Sequence, residues 1–367
     1  MNEEILVREM GWVYRNPKPY LRSRMAFHPS LVRLSEREFL ATFDLGQAVE
    51  ALDYHTVVAR SLDGGRTWTL EGPLLASPPP STTHTIRISR LVDGTLVGFG
   101  GWHHRRDPEE GLINRDTGGF VPVTLFLVRS FNGGHQWTDP EILHPPLWSP
   151  AWEICHPIVE LTDGRWLAPT ATWRGWEGEH PAGEQAVVFI SDNRGRSWPT
   201  FGRTFDGRTT GLSHLEQSVI ELQDGRILAV CWVFDLRTGE TFPTTYTLSD
   251  DRGETFREPR PTGFWAETCK VVQLPDGRLL CAYRRHDRPG LWATLARLDG
   301  ERWVNLAHAL LWSGSRSGPV SRGADVLSAL TFGYPSLCPI SSHEVLLLFW
   351  CQEECLTNIR WIRIELP

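Results

Sequence analysis

Four nearly identical eight-residue phrases run through the chain: Ser61-Leu-Asp-Gly-Gly-Arg-Thr-Trp68, Ser130-Phe-Asn-Gly-Gly-His-Gln-Trp137, Ser191-Asp-Asn-Arg-Gly-Arg-Ser-Trp198 and Ser249-Asp-Asp-Arg-Gly-Glu-Thr-Phe256. Their starts fall 69, 61 and 58 residues apart. A repeat of that period is about one four-stranded sheet long, so the fold has to be an assembly of like units. Within each copy an Asp or Asn can turn back on nearby backbone amides, a Gly accepts positive φ, and the final aromatic drops into the apolar layer between sheets. Each copy is a hairpin staple, and nothing in it requires catalysis.

A second repeat interleaves with the first. Apolar alternation, a short turn and renewed alternation occur at Ser30 to Phe43, Ile86 to Phe99, Pro157 to Ala171, Ser218 to Val233, Lys270 to Tyr283 and Ser336 to Trp350. Four of these turns are Asp-Gly (Asp93-Gly94, Asp163-Gly164, Asp224-Gly225 and Asp276-Gly277), a strong hairpin signal. Six hairpins, with an eroded fifth staple at Asp299 to Trp303, predict an all-β fold: a six-bladed β-propeller of four-stranded antiparallel blades, one domain over 1–367. The last block, Asn358 to Leu366, supplies only a third strand. Ile5 to Arg8 is expected to close the ring as the fourth, because an open ring leaves two unpaired edges.

Composition narrows the function. With 17 Trp, 33 Gly and 26 Pro in 367 residues the chain is turn-rich, and helices should be nearly absent. A net charge of −7 gives no basic footprint for nucleic acid, and no apolar run approaches the ~20 residues of a membrane span. The acidic start, Met1-Asn-Glu-Glu, lacks an apolar secretory core, so a cytoplasmic location is expected of the chain as given, with secretion left open. The seven cysteines are read as reduced thiols, Cys231, Cys269 and Cys281 within apolar strand runs. Cys351 and Cys355 have no second pair at zinc-ligand spacing, and neither metal nor cofactor is assigned.

Strand direction locates the working face. First-strand starts and second-strand ends share one face in every blade, and the staples lie on the other. The starts carry His28, His84, Glu153, His156, His214, Glu216, Glu267 and Tyr334. The ends and following loops carry Asp44, His103, His104, Arg105, Arg106, Trp173, Arg174, Trp232, Asp235, Arg284, Arg285, His286, Arg288, Gln352 and Glu353. Polar groups and Trp converging on one mouth suit a sugar, whose hydroxyls need donors and acceptors and whose ring faces need aromatic platforms.

The staples resemble the Asp-boxes of the sialidase (neuraminidase) superfamily, whose members are six-bladed propellers. Leu215 to Ile227 resembles the segment in which a Glu opens a strand before Glu-Leu-x-Asp-Gly-Arg, which puts Glu216 on the catalytic Glu. Gly333-Tyr-Pro-Ser-Leu337 resembles the segment that holds the nucleophilic Tyr, which puts Tyr334 on that residue, 118 positions later. The resemblance implies an exo-acting glycoside hydrolase that removes a terminal sugar. A neutral phenol activated by a Glu suits an anomeric carbon bearing a carboxylate, and tyrosine-nucleophile sialidases are a recognised exception to the two-carboxylate scheme. The Tyr334 hydroxyl should then lie within hydrogen-bond reach of Glu216. An acid on the first-blade loop completes the implied set; Asp44, Glu50 and Asp53 compete for it, and Asp53 is preferred.

The arginine clamp departs from the family pattern. Its first position falls in Phe27-His28-Pro29-Ser30-Leu31, which has no Arg, and its second falls on Trp232. Only the third has a counterpart, Arg288, with Arg284 and Arg285 nearby; Arg22, Arg24, Arg87 and Arg174 are candidate substitutes from other segments. Two lost charge-assisted contacts of ~1.5–3 kcal/mol each argue for a sugar other than ordinary sialic acid. The expected substrate-binding set is Arg288, Arg284, Arg285, His28, His84, His156, His214, Trp232, Arg87 and Glu153. Two other readings stand beside the hydrolase: a non-catalytic sugar-binding or scaffold propeller, and a uronate lyase using the His-rich mouth.

Overall fold

Each predicted hairpin forms the inner half of one antiparallel sheet, and six sheets stand around a common axis. The computed structural model describes residues 4–235, 237–285, 288–314, 330–353 and 355–367. No helix occurs among them. The first blade runs Met25–Arg33, Phe39–Gly46, His55–Ser61 and Thr69–Pro73 from axis to rim. The second repeats the order with Thr82–Arg90, Leu96–His104, Val123–Ser130 and Glu141–Ile142. The fourth (Leu212–Glu221 onward), the fifth (Glu267–Gln273 onward) and the sixth (Phe332–Pro339 onward) do likewise.

Burial follows from the stacking of blades. Every residue of Phe39–Gly46 is buried, because a second strand is covered on both faces. Leu40, Val58, Ile86 and Phe126 fuse the first two blades, and equivalent clusters join the others. The staples add cross-ties. Ser61 Oγ accepts the Gly65 N–H at 2.9 Å, Asp63 Oδ1 accepts the Arg66 and Thr67 amides at 3.0 and 2.9 Å, and the Trp68 indole donates to Gly65 O at 2.9 Å. The serine-to-glycine bond recurs at Ser130, Ser191 and Ser249. Gly65 has φ +89°, and a Cβ there would stand 2.6 Å from Leu346 Cδ2, so this staple is pressed against the sixth blade.

Two blades depart from the pattern. The inner strand of the third is broken into Ala151–Trp152 and Val159–Glu160, both paired with Trp166–Trp173; Pro157, which has no amide to give, lies in the gap. In the fifth, the eroded staple is a tight hairpin, Asp299 facing Arg302, with Gly300 at φ +63°. The N-terminal strand, Leu6–Tyr14, pairs with Leu356–Glu365 as the fourth strand of the sixth blade. It runs six residues beyond Arg8, which ion-pairs with Glu365.

Candidate functional site

Four blades share one irregularity at the axis. Between the first and second strands the register slips at Phe27/Ser30, Leu215/Ser218, Glu267/Lys270 and Gly333/Ser336. Inside each slip sits a non-glycine residue in the left-handed region: His28 at φ 49°, Glu216 at 56°, Thr268 at 48° and Tyr334 at 50°. A bulge of this kind re-aims one side chain out of the strand's alternation, at about 1–3 kcal/mol of strain for each such residue. The following serine anchors two of them: Ser30 Oγ takes the Ile88 N–H at 3.0 Å, and Ser218 Oγ takes that of Val271 at 3.1 Å, each on another blade's inner strand.

One half of the ring is organised by Asp44, which is fully buried. Its carboxylate accepts from Thr85 Oγ1 at 2.6 Å, Thr56 Oγ1 at 2.7 Å, Tyr54 OH at 3.0 Å and Arg87 Nη1 at 3.3 Å. Burial opposes its charge, but the Arg87 guanidinium and these donors hold the acid far below the usual carboxylate range. His28 Nδ1 lies 2.8 Å from the Tyr54 hydroxyl and its ring stands edge-on to Tyr334. Arg87 Nε donates to Tyr334 OH at 3.0 Å, and that hydroxyl reaches Ile154 O at 3.4 Å. Arg87 and Lys270 stand over the Tyr334 ring at 4.7 and 4.8 Å, and Lys270 Nζ donates to Cys155 O at 2.6 Å. Burial first of all pushes the Tyr334 phenol well above its ordinary value.

The other half is a pair of glutamates. The Glu216 amide donates to both oxygens of Glu153, at 3.0 and 2.9 Å, while the Glu216 carboxylate accepts from the Thr268 hydroxyl. Both residues keep part of their surface in water. Burial, and then the Glu216 charge, push Glu153 up to about 8 from 4.5. Near neutrality Glu153 therefore carries a proton beside a second carboxyl group.

The expected residues divide. His28, Arg87, Glu153, Glu216 and Tyr334 come together at the axis, but the hydrogen bond expected between Tyr334 and Glu216 is not formed: Tyr334 bonds Arg87 and Ile154, and Glu216 bonds Thr268. Asp53 is exposed and caps a turn by accepting the Gln47 N–H at 2.9 Å. Glu50 holds the next blade's loop through the Leu112 amide at 2.6 Å. His84 is buried against Trp102 and accepts the Thr56 N–H at 3.2 Å. His156 bonds its neighbour Pro157 O at 2.9 Å, His214 stacks on Phe205, and burial lowers both imidazoles, to about 3 and about 4. Trp232 stacks on Phe234. Arg284 is buried, ion-paired with Glu267 and donating to Phe332 O at 2.9 Å. Arg285 and Arg288 lie over Trp292 on the blade's third strand. His286 lies outside the described residues.

Thr268, Lys270, Tyr54, Thr56 and Thr85 were not expected at the site. A signal for the bulges was present: His28-Pro-Ser-Leu, Glu216-Gln-Ser-Val, Thr268-Cys-Lys-Val and Tyr334-Pro-Ser-Leu form a short internal repeat at the first-strand starts. A separate cleft of about 380 Å³ lies at the rim between the first blade's outer strand and the second staple, lined by Glu71, Leu74, His135 and Trp137, and does not include the axial residues.

The profile of the BNR repeat-like domain family matches residues 111–343. No curated protein sequence matches the chain. Among solved structures, a protein of unknown function from Dyadobacter fermentans is similar at 20% identity, with a TM-score of 0.76 over 99% of both chains. The Hadza microbial sialidase is similar at 16% identity and TM-score 0.66, over 97% of this chain and 68% of that one. An α-L-arabinanase of Penicillium chrysogenum, solved with arabinobiose, is similar at 13% identity and TM-score 0.62, over 99% of this chain and 98% of that one. At these identities the likeness is one of fold: a sialidase-like six-bladed propeller.

Proposed function

The chain belongs to the BNR repeat-like domain family, and we propose that it is a glycoside hydrolase that removes an uncharged terminal sugar, with Glu153 and Glu216 as its two working carboxyl groups. The observation that carries this reading is the glutamate pair itself, the Glu216 amide bonded to the Glu153 carboxyl group, one member pushed up to about 8 and both keeping part of their surface in water. Glycosidases need one protonated and one charged carboxyl group, kept apart in acidity by their surroundings.

Glu153 donates its proton to the leaving glycosidic oxygen as the bond to the anomeric carbon breaks. Glu216, steadied by Thr268, meets the positive charge that develops there, attacking the carbon directly or taking a proton from the attacking water. Tyr334 serves as a wall. Its hydroxyl is engaged by Arg87 and by a carbonyl, two cations flank its ring, and among the described residues no carboxylate accepts its proton. This replaces the nucleophile role that family resemblance implied.

An uncharged sugar is favoured by what the cations already hold. Arg87 is engaged by Asp44, Arg284 by Glu267, and Arg285 and Arg288 stack on Trp292, so among the described residues these arginines do not form a free carboxylate clamp. On the second- and third-blade side two long loops are tied together, Asn114 Nδ2 and Thr117 Oγ1 both donating to Trp176 O at 2.9 and 2.7 Å, and loops so fixed would suit a mouth that takes a terminal unit. The arabinanase neighbour, matched over nearly the whole of both chains and solved with arabinobiose, makes α-L-arabinofuranosides the first sugars to try. The test is a panel of 4-nitrophenyl glycosides including α-L-arabinofuranoside, β-D-xyloside and sialic acid derivatives. Turnover of a neutral glycoside that disappears in Glu153→Gln supports the reading; turnover of the sialoside alone, or of none, rejects it.

A further inference from the structure

Among the described residues, three connectors that lead from one blade's rim to the next blade's axis on the working face carry an exposed aromatic ring. Tyr20 is 90% exposed, Trp148 67% and Trp265 39%. They precede the first, third and fifth blades, so they alternate around the mouth. The opposite face shows a single exposed aromatic among the described residues, Phe131, in the second staple.

Trp148 is the most firmly presented. It sits in Pro145-Pro-Leu-Trp-Ser-Pro150, where three prolines fix φ. On one side Leu147 packs into the apolar layer between the second and third blades. On the other, buried Ser149 donates to Ala151 O at 2.9 Å and Trp173 O at 3.2 Å, and Pro150 O accepts the Val123 N–H. The indole is therefore held out in water by an anchored backbone. Five residues later the same segment delivers Glu153, whose amide is fixed to Ala171 O at 3.0 Å. Five extended residues span at most about 18 Å, a distance of a few sugar rings. Nothing charged lies between Pro145 and Trp152, so the platform matches the apolar face of a neutral sugar.

Resting on the hydrolase reading above, we propose that Trp148 is the stacking platform for the sugar on the leaving-group side of the cleaved bond, so that a neutral oligosaccharide is turned over in preference to a simple glycoside. The side follows from Glu153: the group that protonates the leaving oxygen and the ring that would bear the leaving sugar are ends of one rigid segment.

Binding is tested apart from turnover. Glu153→Gln protein is titrated with arabinobiose, arabinotriose and xylobiose by calorimetry, alone and combined with Trp148→Ala or Trp148→Phe. The expected result is at least one oligosaccharide bound by the parent, weakened about tenfold by Trp148→Ala and recovered in large part by Trp148→Phe. In the active protein, the ratio of kcat/KM on that disaccharide to kcat/KM on the methyl monoglycoside should fall by a similar factor in Trp148→Ala. Equal affinity in Glu153→Gln with and without Trp148→Ala, or no binding of any of the three by the parent, overturns the platform. Binding that depends on Trp148 in a wild-type protein without turnover would sink the hydrolase reading and leave the platform standing.

Discussion

Replacing Glu153 by Gln should stabilise the protein in alkaline buffer and change little in acid. The unfolded chain releases this proton near 4.5, whereas the folded chain holds it to about 8. Between those values the unfolded state binds fewer protons, so wild-type stability falls as pH rises through the window and levels off above it. At about 1.4 kcal/mol per pH unit the ceiling is about 5 kcal/mol. Residual water contact of Glu153 screens part of this, and about 2 kcal/mol is the working expectation. Glutamine keeps an oxygen that can accept the Glu216 N–H, so little is lost where the acid is neutral. Urea unfolding followed by tryptophan fluorescence, from pH 4 to pH 9 with the slope held common, measures the difference. It should be near zero at pH 4, grow in favour of the variant and flatten above pH 8. A difference that ignores pH, or a wild type that is the more stable protein at pH 9, would refute the account of this carboxyl group.

Two further perturbations follow from the packing of the ring. Arg87→Met leaves Asp44 buried with hydroxyl donors and His28 but without its guanidinium, and should cost about 3–5 kcal/mol in urea unfolding; adding Asp44→Asn should recover part of that loss. A full loss retained in the double variant would show that the ion pair is not the cause. Gly65→Ala sets a Cβ 2.6 Å from Leu346 Cδ2 on a backbone with φ +89°, and should lower the unfolding free energy by more than about 1 kcal/mol, whereas Gly164→Ala, with positive φ but open space, should cost less.

The fold was legible because its signals are local and repeated. Asp-Gly turns, alternating strands and the serine-to-aromatic staples each announce a unit, and six units leave little freedom in how they close. The site was legible only in part. Strand direction brought His28, Glu153, Glu216 and Tyr334 to one mouth, because first-strand starts must meet at the axis, whereas Arg87 entered only as a substitute for a clamp arginine. Their pairing was hidden because the bulges fall on His, Glu, Thr and Tyr and not on glycine, so no residue type marks the positive φ. Asp53 was preferred for its place after the first hairpin, yet its carboxylate serves its own turn. The histidines made the mouth look richer in titrating groups than it is, since His84, His156 and His214 are buried in strand packing. The repeat that includes Thr268-Cys-Lys-Val marks a bulge but not its partners, and what Thr268 and Lys270 bond depends on contacts between blades.

The central claim is that Glu153 and Glu216, and not Tyr334, carry the chemistry. The pH dependence of kcat/KM on one neutral chromogenic glycoside, compared among wild type, Glu153→Gln, Glu216→Gln and Tyr334→Phe, tests it most directly. The account predicts a wild-type rate that falls as pH rises past about 8, losses of about 10³-fold or more in both glutamate variants, and a Tyr334→Phe enzyme within about tenfold of wild type. A Tyr334→Phe protein as inactive as Glu216→Gln, with Glu153→Gln still active, would contradict it.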